Sequence, residues 1–153
     1  MALDIQAILS TASTIIREFE GYRSSAYRDM AGVWTIGYGF TYWSGHKVTA
    51  SYPGFPVTIT QCNQQLRSVL IPLLSRIQTS VKVTLSDTQY AALLCFSYNV
   101  GYTAFSNSTM LRLINEGDIA QAAEQFPLWD KSGGKVVPGL LKRRLAEQKL
   151  FSE

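Results

Sequence analysis

Two carboxylates and one hydroxyl stand at short spacing near the start of this 153-residue chain. Glu20 is followed by Asp29 and then by Thr35, all within the stretch FEGYRSSAYRDMAGVWTIGYG. Hydrolysis of a glycosidic bond uses two carboxyl groups that flank the bond, one donating a proton and the other activating water or attacking. The alternative for each carboxylate is an ordinary solvated surface group, so spacing alone leaves both interpretations open.

A helix end and a hairpin are predicted to carry the three residues. Apolar residues recur at helical spacing over residues 3–20, and Gly21 follows directly, which predicts a helix ending at Glu20. The helix dipole disfavours a charged carboxylate in that last turn. The residues that follow are typical of two short strands around a tight turn, with Asp29 closing the first strand and Thr35 on the second. This hairpin would bring Asp29 and Thr35 together at the end of the helix that carries Glu20.

Residues 40–59 are rich in aromatic residues, Gly, Pro and Ser, which predicts an irregular or β-like segment. Its exposed aromatic side chains would stack on sugar rings or, equally, pack the small lobe. These side chains belong to Tyr42, Trp43, Tyr52 and Phe55.

The remainder is predicted to be helical. Thr60 is the expected N-cap of a helix to residue 78, with Pro72 as a kink or break. Ser86 and Gln89 form a predicted capping box for a buried central helix. The predicted helices cover 60–78, 86–99, 108–116, 118–126 and 140–151, with a loop at 131–139. Strands confined to one region favour an α+β fold in one domain, 1–153, with a helix and β lobe (1–59), a larger helical lobe (60–153) and a cleft between them.

Composition limits the function classes. A net charge of +3 and a pI of about 8.9 favour anionic partners, but no basic stripe or motif supports nucleic-acid binding. Cys62 and Cys95 are too few for a disulfide framework, and with the single His46 they form no zinc set. We therefore expect free thiols, no metal and no cofactor, with a disulfide left open in an oxidising compartment.

The N-terminal stretch lacks a basic n-region and carries Asp4, so it does not resemble a signal peptide. No segment has the length and apolarity of a transmembrane helix, and stable membrane insertion is not expected. The chain is expected to be made in the cytoplasm and to need another component to reach a substrate outside.

Several motifs resemble the phage-type lysozymes, muramidases also called endolysins. They are FEG at 19–21, AYRD at 26–29 and GVWTIGYG at 32–39, and Glu20, Asp29 and Thr35 fall on the catalytic positions of that family without gaps. The resemblance covers roughly 16–41 and 85–151, including Asn99-Val100-Gly101, Phe105, Ser108, Trp129 and GLLKRRLAEQKLF. Many relatives have His where this chain has Phe40.

The resemblance implies a lysozyme-like fold and hydrolysis of the bond between N-acetylmuramic acid and N-acetylglucosamine in peptidoglycan. It implies Glu20 as general acid, Asp29 as the second carboxylate, Thr35 as holder of the attacking water, and inversion. Three further positions, Thr41, Tyr98 and Ser108, align with residues that line the sugar cleft.

The same resemblance implies a cytoplasmic protein of the phage-infected host that is released through a holin, acts as a monomer and cuts the cell wall from the periplasm. Arg143 or Arg144 would reach Glu20, with packing of the side-chain stem or another acidic partner as the alternative. A competing hypothesis is a non-catalytic wall-binding or antimicrobial module that acts through the basic C-terminal helix.

Overall fold

The computed structural model describes residues 2–153, and these form two compact units. The hairpin unit is Ser13–Val69, and the helical unit is residues 2–12 together with Leu70–Glu153. Two helices, α1 (Ile5–Glu20) and α2 (Ile59–Ser80), each contribute residues to both units. The lobe bounds expected from the sequence, 1–59 and 60–153, stay a prediction.

The hairpin unit contains the predicted pair of strands. Strand β1 (Arg23–Arg28) pairs antiparallel with β2 (Trp34–Gly37), so that Tyr27 lies opposite Thr35 and Arg28 lies opposite Trp34. A second, smaller ladder joins β3 (Tyr42–Trp43) to β4 (His46–Lys47). The core of this unit is apolar and largely aromatic. Its buried members are Ile16, Ile36, Tyr38, Phe40, Trp43, Val48, Val57, Cys62 and Leu66.

The aromatic residues of the 40–59 segment divide between packing and exposure. Trp43 is buried against Phe40, with ring centroids 6.1 Å apart, so of the two roles left open for this segment it has the packing role and not the exposed one. The Tyr52 hydroxyl donates to the Trp43 carbonyl over 2.7 Å and ties the segment to this core. Tyr42 and Phe55 remain exposed, as predicted.

The N-cap of helix α2 lies two residues before the predicted one. The Thr58 hydroxyl accepts from the Gln61 backbone N–H over 3.1 Å, and the Gln61 side chain accepts from the Thr58 N–H over 2.8 Å. This reciprocal pair is a capping box, so Thr58 and not Thr60 is the N-cap. The helix continues through Pro72, and the predicted break does not occur.

The helical unit is built around α3 (Asp87–Val100), whose residues from Tyr90 to Ser97 are all buried. The predicted capping box of Ser86 and Gln89 is confirmed. Three aromatic rings pack edge to face on Phe96, those of Phe105, Phe126 and Trp129, and the Phe151 ring packs on Phe126. The other helices are α4 (Tyr102–Ser106), α5 (Thr109–Asn115), α6 (Ile119–Ala123), a 3₁₀ turn (Phe126–Leu128) and α7 (Pro138–Phe151).

Two features of this unit differ from the prediction. The short helix α4 was not expected, and part of the 131–139 loop forms a hairpin, in which β5 (Lys131–Ser132) pairs with β6 (Lys135–Val136) around two glycines. Helices together with local antiparallel strand pairs confirm the α+β class. Across residues 2–153, no helix combines the length and apolarity needed to cross a membrane.

Candidate active site

Glu20 is the last residue of α1, as predicted, and its half-buried carboxyl group packs on Gly39. A Cβ atom added at Gly39 would lie 2.6 Å from Glu20 Oε1 and 2.9 Å from the carboxyl carbon. Gly39 also has a φ of +78°, which L side chains rarely adopt. Only glycine fits this contact without moving the carboxyl group.

Asp29 lies in the turn between β1 and β2, and one of its two oxygens organises that turn. Oδ1 accepts from the backbone N–H groups of Ala31 and Val33, each over 2.9 Å. The Asp29 N–H donates to the Val33 carbonyl, also over 2.9 Å. Within the described chain Oδ2 carries no hydrogen bond, and the exposed side chain can offer it to a ligand. The turn-forming and acid–base roles of Asp29 are therefore compatible.

Thr35 lies on β2 and is 3% exposed. Its hydroxyl donates to the Val33 carbonyl over 2.8 Å. Since the hydroxyl proton is used in this bond, the lone pairs of Oγ1 are what Thr35 can present to a water molecule. Val33 thus receives hydrogen bonds from both Thr35 and Asp29, which fixes the two residues relative to each other.

Tyr27 connects the two carboxylates electrostatically. Burial raises the pKa of its hydroxyl, the negative charge of Glu20 raises it further, Arg23 opposes the rise, and Asp29 adds to it. Screened Coulomb interactions of this kind act over short distances. Tyr27 also lies directly opposite Thr35 in the ladder. Tyr27 thus lies opposite Thr35 and is influenced by the charges of both carboxylates, a role that the sequence alone did not indicate.

The predicted sugar-binding residues fall in different units. Thr41 is half-buried in the hairpin unit, where its carbonyl accepts from the Val48 N–H over 2.9 Å. Tyr98 and Ser108 lie in the helical unit, on α3 and at the N-cap of α5. The Ser108 hydroxyl donates to the Phe105 carbonyl over 2.6 Å and accepts from the Leu111 N–H. Ser108 also lines a surface pocket of about 310 Å³.

This geometry can be set beside known proteins. A family model described as phage lysozyme matches residues 17–147. The chain belongs to the phage lysozyme family. The match includes all three residues of the candidate catalytic set and confirms the resemblance found in the sequence.

Curated relatives in this family are named endolysins. The endolysin of Bacillus phage PZA is 39% identical over 140 residues, which cover 90% of this chain but only 52% of that protein. The endolysin of Acyrthosiphon pisum secondary endosymbiont phage 1 is 38% identical, covering 90% of this chain and 92% of the relative. The SAR-endolysin of bacteriophage PS119 is 37% identical over 96% of this chain and 84% of the relative.

Solved structures confirm the lysozyme-like fold. An endolysin from Escherichia coli O157:H7 phage FAHEc1 superposes with a TM-score of 0.82 at 30% identity, covering 99% of this chain and 93% of that one. A P22 lysozyme mutant superposes with a TM-score of 0.77 at 33% identity, covering 100% and 99% of the two chains.

The two candidate arginines of the C-terminal helix lie inside the helical unit. Glu147 Oε2 is 3.2 Å from Arg143 Nε, and Glu147 Oε1 is 2.9 Å from an Arg144 terminal nitrogen; all three side chains are buried. Arg143 also donates to the Cys95 carbonyl over 3.2 Å, and Arg144 donates to the Asn99 side chain. An acidic partner is thus present, as the alternative interpretation expected, while a contact with Glu20 stays a prediction.

Burial of Arg143 and Arg144 weighs against the wall-binding hypothesis based on the C-terminal helix. That hypothesis needs the basic side chains to face an envelope surface. Arg143 and Arg144 are 3% and 0% exposed and already neutralise Glu147. Two basic side chains of this helix are therefore not available to an envelope surface.

Proposed function

We propose that this chain is an endolysin that hydrolyses the β-1,4 bond between N-acetylmuramic acid and N-acetylglucosamine in bacterial peptidoglycan, lysing the host at the end of a phage cycle. The observation that carries the proposal is the geometry of the hairpin unit, in which Asp29 and Thr35 both donate to the Val33 carbonyl and the Glu20 carboxyl group packs on Gly39. Membership of the phage lysozyme family supports the same substrate class. No cofactor or metal takes part in the proposed reaction.

Glu20 is assigned as the general acid. It protonates the glycosidic oxygen, so that the leaving sugar departs as a neutral alcohol while positive charge develops at the anomeric carbon. The packing of its carboxyl group on Gly39 supports this role, because proton transfer requires the acid to be held at one place.

Asp29 and Thr35 are assigned to the attacking water. With Asp29 Oδ1 held by two backbone N–H groups, Oδ2 is left to take the proton from the water. Thr35 Oγ1 accepts the other hydrogen of that water, since its own proton is committed to the Val33 carbonyl. The oxygen lone pair is then directed at the anomeric carbon. Direct attack by water predicts inversion, which NMR of the first-formed product anomer can test.

Paired glutamate variants on α1 test the assignment of the acid. Glu20→Gln keeps the shape of the side chain but removes the transferable proton, and should lower the rate of peptidoglycan hydrolysis roughly 10²- to 10⁴-fold. Glu18→Gln changes an exposed carboxylate on the same helix and should leave the rate unchanged. If purified Glu20→Gln still clears a suspension of cell walls at the wild-type rate, the proposed mechanism is wrong.

We further propose synthesis in the host cytoplasm and release through a holin to act in the periplasm as a monomer. Because some relatives are named SAR-endolysins, a signal-anchor route is the competing form of release. Expression of the chain in a bacterial host with and without a co-expressed holin separates the two. Lysis only with the holin supports the proposal, and lysis without it supports the competing route.

A further inference from the structure

Arg23 lies next to the candidate catalytic residues, and its guanidinium group stacks on a ring but has no hydrogen-bond or ion-pair partner among residues 2–153. The guanidinium carbon lies 4.0 Å from the centre of the Tyr27 ring, in a cation–π contact. The side chain is exposed, and among residues 2–153 it makes no hydrogen bond or ion pair. The guanidinium group therefore lies over the ring and is exposed to solvent.

The stacking partner places this arginine at the catalytic residues. Tyr27 lies opposite Thr35 in the β1–β2 ladder and within electrostatic reach of Glu20 and Asp29. Arg23 itself acts on Tyr27, with a charge opposite in sign to those of the two carboxylates. A cation thus borders the site without neutralising either carboxylate by a direct contact.

A stacked guanidinium has a defined chemical preference. Its planar fork of N–H donors matches a carboxylate in a bidentate geometry, and stacking on an aromatic ring restricts the fork before a ligand arrives. Peptidoglycan differs from neutral amino-sugar polymers in bearing stem peptides with free carboxylates on its muramic acid residues. The anionic group that would meet Arg23 during hydrolysis is therefore on a peptide and not on the sugar ring.

We propose that Arg23 is a specificity-determining residue that binds a stem-peptide carboxylate of peptidoglycan beside the scissile bond. This inference rests on the proposed function and adds the recognition of the peptide to the cleavage of the glycan. Tyr27 serves as the platform that holds the guanidinium in place.

Arg28 supplies a matched control. Its guanidinium carbon lies 5.1 Å from the centre of the Trp34 ring, so it too is an exposed arginine stacked on an aromatic side chain of the same hairpin. Arg28 and Trp34 are opposite each other, one position along from Tyr27 and Thr35. Since successive strand residues point to opposite faces, Arg28 is on the face away from Thr35.

The experiment compares wild type, Arg23→Gln and Arg28→Gln on two soluble substrates: glycan chains that retain their stem peptides, and the same chains after an amidase has removed them. Reducing ends give kcat and KM. For Arg23→Gln we expect KM on the peptide-bearing glycan to rise about three- to fivefold, the effect of an exposed ion pair, with kcat unchanged. On the peptide-free glycan it should match wild type. Arg28→Gln should match wild type on both substrates, and circular dichroism should show unchanged melting for both variants.

The proposal is overturned if Arg23→Gln equals wild type on the peptide-bearing glycan, or if its KM rises equally on both substrates. An equal rise after Arg28→Gln also overturns it, since general charge attraction would then account for the effect. A wild-type chain that releases no reducing ends from either substrate would instead refute the proposed function, and this inference with it.

Discussion

The Glu20 carboxyl group packs on a single glycine, Gly39. Because Gly39 has no Cβ, the Glu20 carboxyl group lies directly against its backbone, at a residue with a φ of +78°. The carboxyl group of the proposed general acid thus packs against main-chain atoms. Backbone contacts of this kind are less mobile than side-chain contacts, which suits a group whose proton must be delivered to one atom.

Replacing Gly39 should lower the rate of hydrolysis by more than the accompanying loss of stability explains. Gly39→Ala adds a methyl group that must displace the Glu20 carboxyl group, so we expect the rate of peptidoglycan hydrolysis to fall at least about tenfold. Gly117→Ala is the matched control, since Gly117 has a φ of +82° but nothing within 4 Å of an added Cβ and lies outside the catalytic hairpin. Each variant should lose about 1–2 kcal/mol of unfolding free energy from the left-handed backbone. Equal loss of activity in the two would show that backbone strain, and not contact with Glu20, is responsible.

At the scale of elements, local capping begins α2 and anchors the end of the 40–59 segment. The Thr58–Gln61 capping box satisfies two backbone donors at the start of the helix. Thr58→Ala should lower the free energy of unfolding by about 1 kcal/mol. Thr60→Ala should change it little, because Thr60 is an exposed residue inside the first turn. Urea denaturation measures both, and a larger loss for Thr60→Ala would restore the cap expected from the sequence.

Helix α7 carries a buried carboxylate whose removal should be costly. Burial raises the pKa of the Glu147 carboxyl group, and the charges of Arg144 and Arg143 oppose that rise. Glu147→Gln leaves two buried guanidinium groups, which cannot lose their protons, without their shared counter-charge. We expect a loss of about 3 kcal/mol in unfolding free energy.

The surface pair Arg112–Glu116 provides the comparison for that loss. Its side chains are 61% and 48% exposed, and it has the same i,i+4 spacing as Arg143 and Glu147. Glu116→Gln should cost only about 0.3–0.5 kcal/mol. Similar losses for Glu116→Gln and Glu147→Gln in denaturant titrations would contradict the stabilising role assigned to the buried cluster.

Across the whole molecule, the features that the sequence predicted correctly are those that depend on interactions between residues close in the chain. The end of α1 at Glu20, the hairpin around Asp29 and the capping box at Ser86 each depend on neighbours within a few residues, and each is confirmed. The burial of Trp43 and of Glu147 between two arginines depends on contacts distant in sequence, which hydrophobic periodicity does not encode. The roles of Tyr27 and Gly39 could not be predicted for the same reason, since each depends on a carboxylate that lies on another element of the fold.

The central claim is that Glu20, Asp29 and Thr35 add water across a muramic acid glycosidic bond. Mass spectrometry of the products from purified peptidoglycan in H₂¹⁸O tests it most directly. Hydrolysis predicts reducing ends at N-acetylmuramic acid that carry one ¹⁸O, and their formation should be lost in Glu20→Gln. Anhydro-muramic ends without ¹⁸O would mean transglycosylation, and reducing ends at N-acetylglucosamine would mean cleavage of the other bond; either result would contradict this account.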